Sequence, residues 1–198
     1  MTEPTEPTEP TEPTEPTEPT EPSAEAEAPE VPVALRAAVR EIEAHVAGEG
    51  WDSPPRLYAL ADTAALAAAA PALAEQMGLD PDAGGLTSVQ QELDPAGDFE
   101  QLLVQLDWPP TVVGAVAVVE RLVMARPDAG EQLDAEAAAA DPDAQEVRIV
   151  VGVLRPEASG RTPSWCALRL RAHDHAAQVI EGADVVPGLV TLLGETFS

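Results

Sequence analysis

Histidine and aspartate stand together once in this sequence, at His173-Asp174-His175. Two imidazoles two residues apart on an extended segment could share a metal ion, with Asp174 or a more distant acid as a further ligand. The third histidine, His45, falls on a predicted helix, and no further ligands are evident near the triplet. The pattern favours a solvated loop after the last strand, and we expect no metal and no cofactor.

Cys166 is the single cysteine, so an internal disulfide is excluded. It alternates with Leu168 and Leu170, which is typical of a residue that faces a core. A nucleophilic cysteine needs an exposed position and a nearby base, and the sequence supplies neither. The nucleotide-binding, hydrolase and zinc-protease motifs GxGxxG, GxxxxGK[ST], GxSxG and HExxH are absent as well. The catalytic residues, if there are any, are unknown at this stage.

Arginines and aromatic residues recur at alternate positions of three predicted strands. Alternate residues of a strand lie on the same face of a sheet. A face lined by guanidinium groups could bind an acidic peptide or a small carboxylate ligand. The alternative is that these arginines pair with the protein's own glutamates and loops. The candidate binding residues are Arg56, Tyr58, Arg148, Trp165, Arg169 and Arg171.

The elements that must position these residues are a set of helices and strands in alternating blocks. Apolar spacing of three and four predicts a helix over 33–47. Asp98 and Gln101 have the spacing of a capping box and predict a second helix from residue 99. Shorter helices are predicted over 63–70, 71–77 and 131–139, and a C-terminal helix is expected with Asp184 at its cap. Strands are predicted over 56–62, 112–124, 146–155 and 164–172, with a further edge strand over 86–93.

The strongest strands follow one another along the chain, with helices before and after them. This order predicts an α+β domain, with an antiparallel sheet of four to five strands and helices packed mainly on one face. Two similar segments, Trp51 to Pro55 and Trp108 to Pro110, stand before predicted strands. Proline suits the start of a strand, and a tryptophan there can pack over the junction between a helix and a strand. We therefore interpret both segments as structural.

The composition is strongly acidic, with 36 aspartates and glutamates against ten arginines and a net charge of −26. Seven Thr-Glu-Pro triplets begin the chain, and residues 1–32 are predicted to be a disordered acidic tail before a single domain over 33–198. Such a charge repels phosphate groups, so neither nucleic acid nor an anionic membrane is an expected partner. The absence of a signal-like or spanning segment favours a cytoplasmic location.

Four segments carry a resemblance to a known family: GWDSPPRLYAL, LDWPPTVVGAVAVVERLV, VGVLR with CALRLR, and GADVVPGLVTLL. With these segments the chain resembles a small actinobacterial family catalogued after a Propionibacterium locus. The likeness runs from about Val33 to the C-terminus. That family has no assigned activity, so the resemblance implies an α+β domain and no catalytic residue.

These observations predict a non-catalytic binding or adaptor module that uses the arginine and aromatic face. Its expected partner is a protein or an acidic peptide, and the expected state is a monomer or a weak homodimer. One alternative is an enzyme with an unfamiliar active site, in which a carboxylate such as Glu120 would act as a base. Another is a structural homodimer.

Overall fold

A computed structural model describes residues 32–80, 82, 84–94, 97–124, 144–183 and 185–197. These residues belong to one unit, Val31–Ser198. Residues 1–31 of the predicted tail, the predicted helix over 131–139 and the predicted cap Asp184 lie outside the described residues. None of the helices in the described part of the chain combines the length and the apolar character that a membrane crossing requires.

Five helices lie within the described ranges. They are α1 (Val33–Ala47), α2 (Thr63–Ala69), α3 (Pro71–Met77), α4 (Phe99–Gln105) and α5 (Pro187–Glu195). Local chemistry explains several of their ends. The Asp62 carboxylate accepts a hydrogen bond from Ala65 N and begins α2. Asp98 does the same for α4, as predicted, by accepting from Glu100 N and Gln101 N. Gly78 ends α3 in the left-handed conformation, which glycine adopts without steric cost.

Six strands form one antiparallel sheet in the order β2-β1-β3-β4-β5-β6. The strands are β1 (Arg56–Asp62), β2 (Leu86–Gln90), β3 (Gly114–Met124), β4 (Ala144–Leu154), β5 (Ser164–Leu170) and β6 (Ile180–Gly182). The α+β prediction is confirmed, with six strands instead of four to five. The additional strand, β6, is three residues long, which is too short to show an alternating pattern in the sequence.

Helices cover both faces of the sheet, whereas the sequence analysis placed them mainly on one. Helix α1 packs on the first face through Leu35, Val39 and Val46, against Val116 and Val150. Helices α4 and α5 pack on the opposite face through residues such as Leu103 and Leu193, against Ala117, Ile149 and Val151. The difference has a simple cause. The central strands β3 and β4 contain nearly continuous apolar runs, which is the pattern of strands buried on both sides. We call the first face the α1 face.

Candidate functional site

The predicted arginine face coincides with the α1 face of the sheet. The arginines at one end of this face form ion pairs with carboxylates of the same chain. In the strand register, Glu120 lies opposite Arg148, and Arg148 lies opposite Arg169. The Arg148 side chain is 1% exposed and donates to Glu120 Oε1 from Nε at 3.0 Å and from Nη2 at 2.7 Å. Its Nη2 also donates to the carbonyl of Gly50. This arginine therefore ties the segment before β1 to the middle of the sheet.

Arg169 connects the same end of the sheet to α1. Its Nε donates to Glu43 Oε1 at 2.6 Å and its Nη2 to Glu43 Oε2 at 2.9 Å, and both side chains are buried. Such a two-point pair fixes the relative position of the two side chains more strongly than a single contact. A third nitrogen, Nη1, donates to Asp174 Oδ1 at 3.1 Å. The pair raises the pKa of Arg169, chiefly through the hydrogen bond to Glu43.

Trp51 is the aromatic centre of this arrangement. Its indole Nε1 donates to Asp174 Oδ2 at 2.9 Å. The guanidinium of Arg148 lies 4.3 Å from the ring centre and that of Arg171 lies 5.7 Å from it, both within the range of cation–π attraction. Arg148 Nη1 has no hydrogen-bond acceptor within the described residues, so the tryptophan ring is part of what stabilises this buried cation.

Asp52 closes the arrangement with a positive φ of 66°, which aspartate tolerates better than most residues. This conformation lets its backbone N donate to Glu120 Oε2 at 2.8 Å. Its carboxylate accepts two hydrogen bonds from Arg171, at 2.8 and 2.9 Å. Arg171 also donates to Glu146 Oε2 at 2.8 Å. We call this set the Trp51 cluster; it comprises Glu43, Trp51, Asp52, Glu120, Glu146, Arg148, Arg169, Arg171 and Asp174.

The charge balance of the Trp51 cluster determines what it can bind. Its three arginines face five carboxylates within the cluster. The hydrogen bond from Arg171 holds the pKa of Asp52 below its ordinary value. The hydrogen bond from Trp51, followed by that from Arg169, does the same for Asp174. Because five carboxylates face three guanidinium groups, the cluster offers no surplus of positive charge to an anionic ligand.

The other three candidate residues lie on the same face but away from the Trp51 cluster. Arg56 pairs with Glu49, which follows α1, and this bond lowers the pKa of Glu49. Tyr58 is buried in the core under α1. Trp165 is half-buried, and the guanidinium of Arg36 lies 4.6 Å from its ring centre. The geometry thus matches the alternative left open by the sequence, pairing within the chain. Ligand binding by the six residues stays a prediction, and a ligand would have to displace these carboxylates.

The histidine triplet does not form a convergent set of ligands. Asp174 is engaged by Trp51 and Arg169, and His175 Nδ1 accepts a hydrogen bond from Ala177 N at 3.1 Å. Within the described residues there is no group of three or more histidine, cysteine, aspartate or glutamate side chains placed to hold a metal ion. Cys166 is buried in the core on the face opposite α1.

Sequence reasoning missed Arg155, which organises the second Trp-Pro-Pro segment. Its Nη2 donates to the backbone carbonyls of Trp108, Pro109 and Val112 at 3.1 to 3.3 Å. Its guanidinium also lies 4.9 Å from the ring centre of Phe197. An arginine just after a strand carries no sequence signal for such a role, because its acceptors are backbone carbonyls more than forty positions away.

An open groove of about 840 Å³ lies where β2 ends and β1 begins, with α4 as one wall. Its apolar surface comes from two prolines, two leucines and Phe99. Among the described residues that line it are four carboxylates, those of Glu49, Glu92, Asp94 and Asp98, and one guanidinium, that of Arg56. We call it the acidic groove; it is lined by Glu49, Pro54, Pro55, Arg56, Gln90, Gln91, Glu92, Leu93, Asp94, Gly97, Asp98, Phe99 and Leu102.

Residues 35–198 match the family described as PPA1309-like protein. The chain belongs to this family. The PPA1309-like segment includes all six strands and α2 to α5, and it begins inside α1. It therefore contains both the Trp51 cluster and the acidic groove, whereas the Thr-Glu-Pro repeats precede it. No curated protein and no solved structure matches the chain.

Proposed function

We propose that this domain is a non-catalytic binding or adaptor module, and that its partner is cationic. The observation that carries the proposal is the acidic groove, in which four carboxylates and one arginine surround an apolar surface. Complementary charge selects partners and accelerates encounter, and the apolar surface supplies area to bury. A cytoplasmic location is part of the same proposal.

The charges of the α1 face disfavour the anionic partner that the sequence analysis expected. Each arginine of the Trp51 cluster already has carboxylate partners in the chain. An acidic peptide would have to break these ion pairs while approaching a domain of the same charge. Beyond residue 32, 26 acidic residues face ten arginines. A cationic partner is attracted by the net negative charge of the domain, although Glu49 of the groove is already paired with Arg56 and Asp98 already caps α4.

The state of the carboxyl groups favours binding over acid–base catalysis. A general base that works near neutral pH usually has a raised carboxyl pKa. The pKa of Glu49, which lines the acidic groove, is lowered by the hydrogen bond from Arg56. Glu120, the base considered from the sequence, accepts hydrogen bonds from Arg148 and from the backbone N of Asp52. Both carboxylates are thereby committed to holding the structure.

The proposal is tested with a fluorescein-labelled decapeptide of alternating arginine and threonine and its glutamate–threonine counterpart. We expect saturable binding of the arginine peptide, followed by fluorescence anisotropy in physiological salt, and none of the glutamate peptide. Glu92→Arg should weaken binding about tenfold, because it reverses one charge of the groove. Glu41→Arg makes the same change on an exposed position of α1 and should bind like the wild type. Equal loss in both variants would show attraction to bulk charge alone and would refute the acidic groove as the site.

A further inference from the structure

Strand β2 is an edge of the sheet with one row of backbone groups turned outward. Gln91 N donates to Leu57 O at 2.8 Å, and Thr63 N donates to Gly85 O at 3.1 Å. In the same register Val89 lies opposite Ala59. Because backbone groups of an antiparallel strand alternate in direction, the odd-numbered residues of this segment bond to β1. The N–H and C=O groups of Ser88 and Gln90 therefore point away from the sheet.

Although it is only five residues long, this edge lacks several of the protections that edge strands commonly carry. Natural edges are blunted by lysine or other charges, by proline or by a bulge. The sequence of β2, Leu-Thr-Ser-Val-Gln, contains no charge and no proline, and it pairs with β1 without a bulge. Val89 is 43% exposed beside the outward groups. Among the described residues β1 is the only strand paired with β2, so the edge can accept another strand.

We propose that an extended cationic segment of a partner binds as an added strand along β2 and continues into the acidic groove. The inference rests on the binding function proposed above and specifies its geometry. Gln90 is both the last residue of β2 and part of the groove lining, so a strand added along β2 leads directly to the groove carboxylates. Main-chain hydrogen bonds would supply affinity, and basic side chains in the groove would supply specificity.

Charge complementarity identifies the occupant. A second copy of this chain could also pair along a bare edge, but it would bring another strongly negative domain to the same place. Like charges across an interface oppose association. A cationic segment is attracted by the same carboxylates, with Glu92 directly beyond the strand end. The uncharged edge therefore suits a partner that carries its charge at the groove end.

The hydrogen bonds of the added strand can be tested separately from charge. The arginine–threonine decapeptide is compared with the same peptide methylated at every backbone nitrogen, which keeps the charge and removes the donors. On the protein, Ser88→Pro removes an outward N–H that β1 does not use, and Ser88→Ala is the matched control that keeps it. We expect N-methylation and Ser88→Pro each to weaken binding about tenfold or more, and Ser88→Ala to leave it unchanged.

The outcomes separate this inference from the binding function itself. If Glu92→Arg weakens binding while Ser88→Pro and N-methylation do not, the groove binds a cationic ligand and strand addition is refuted. If no arginine peptide binds at all, both proposals fail.

Thermal melting establishes whether Ser88→Pro folds, and the N-methylated peptide on the wild-type protein tests strand addition even where that variant does not fold. A wild-type dimer in sedimentation that Ser88→Pro converts to a monomer would assign the edge to a second copy and overturn the cationic occupant.

Discussion

Trp108 joins the end of α4 to the C-terminal helix through several contacts at once. It is 7% exposed, its Nε1 donates to Thr196 Oγ1 at 3.0 Å, and its ring stacks on Phe197 with 6.2 Å between centres. Arg155 binds the backbone carbonyl of the same residue. The ring therefore combines a large buried area with a satisfied polar atom, which is the usual arrangement of a structural tryptophan.

We predict that Trp108→Ala lowers the free energy of unfolding by about 3–5 kcal/mol, as large-to-small changes of buried aromatic residues commonly do. Urea denaturation measures this loss. Trp108→Phe keeps most of the ring area and removes the donor to Thr196, so its loss should be nearer ~1 kcal/mol, the typical value of one hydrogen bond.

Trp51→Ala should cost less than Trp108→Ala, because Trp51 is only half-buried. A larger loss for Trp51 would show that the Trp51 cluster is the main support of the fold.

The buried Arg148 side chain depends on Glu120 for its counter-charge. Removing one partner of a buried pair leaves the other without its counter-charge, which typically costs about 3–5 kcal/mol. Arg148→Met should show a loss in this range, because it also removes the donor to the Gly50 carbonyl. The double variant Arg148→Met/Glu120→Gln should lose less than the sum of its single changes. A double-mutant cycle measures this coupling, and strictly additive losses would contradict a cooperative pair.

The sequence predicted the positions of the arginines on the sheet but not their partners. In β4 and β5, core-facing apolar residues alternate with residues that point to the other face of the sheet. This alternation is sufficient to place Arg148 and Arg169 together on that other face. Their acceptors come from separate parts of the chain, such as Glu43, which is 126 positions from Arg169. No local rule connects such residues, so the choice between a ligand-binding face and a self-paired face required the packing of α1.

At the scale of elements, the docking of α1 depends on a glycine in the facing strand. A Cβ at Gly152 would stand 2.5 Å from Val39 Cγ2 and 3.0 Å from Leu35 Cδ1. Both contacts are with side chains that are themselves buried, so they have little room to give. The glycine thus allows the helix to approach the sheet closely.

We predict that Gly152→Ala lowers the free energy of unfolding by about 1–3 kcal/mol, the usual range for overpacking. Gly188→Ala is the matched control, since nothing lies within 4 Å of a Cβ there and the residue is in α5. Alanine favours a helix, so this control should be neutral or slightly stabilising. Chemical denaturation of both variants measures the difference. An equal response would mean that α1 can move away from the sheet at no cost.

The elements themselves were largely predictable, because periodicity and capping residues are local. Helix α1 and strand β1 have the predicted bounds, and the Asp98 cap was identified from its spacing. Layering was harder to predict. Arg148 and Arg169 interrupt the apolar pattern on the α1 face, and the sequence left open whether they bind a ligand or pair within the chain. Their pairing with Glu120 and Glu43 compensates their charge and allows that face to be buried. The acidic groove was not predicted, since the turn after β2 brings its residues together from several elements.

For the molecule as a whole, the lowered pKa values of Asp52, Asp174 and Glu181 predict that the folded domain loses stability in acid. The folded-state pKa of Asp52 lies below its ordinary value of 3.8 because of the bond from Arg171. Its contribution to stability is therefore fully present above that value and is lost as the pH falls through the lowered one. Asp174 and Glu181 contribute to stability with the same pH dependence. Hydrogen bonds from Trp51 and Arg169 lower the pKa of Asp174, and the hydrogen bond from Arg40 lowers the pKa of Glu181.

Asp52→Asn tests this prediction against a common background, because asparagine also tolerates a positive φ. We expect the variant to melt at a lower temperature than the wild type at pH 7, and the gap to close as the pH falls from the ordinary value of 3.8 through the lowered pKa of Asp52. Melting curves at several pH values provide the measurement, with other charge effects shared by both proteins. A gap that is independent of pH would mean that the ion pair with Arg171 is not its source.

The acidic Thr-Glu-Pro repeats precede the segment that matches the family. The Pro32 carbonyl accepts hydrogen bonds from Leu35 N and Arg36 N and so supports the start of α1. Deletion of residues 1–30 leaves this support in place and removes ten of the 36 acidic residues.

The melting temperature of the shortened protein should stay within about 2 °C of the full chain in physiological salt. At low salt it should be slightly higher, because less negative charge opposes folding, and added salt should abolish this gain. Calorimetry at two salt concentrations measures both effects. A fall of more than about 4 °C, equivalent to more than ~1 kcal/mol for a domain of this size, would show that the repeats contribute to the stability of the folded unit.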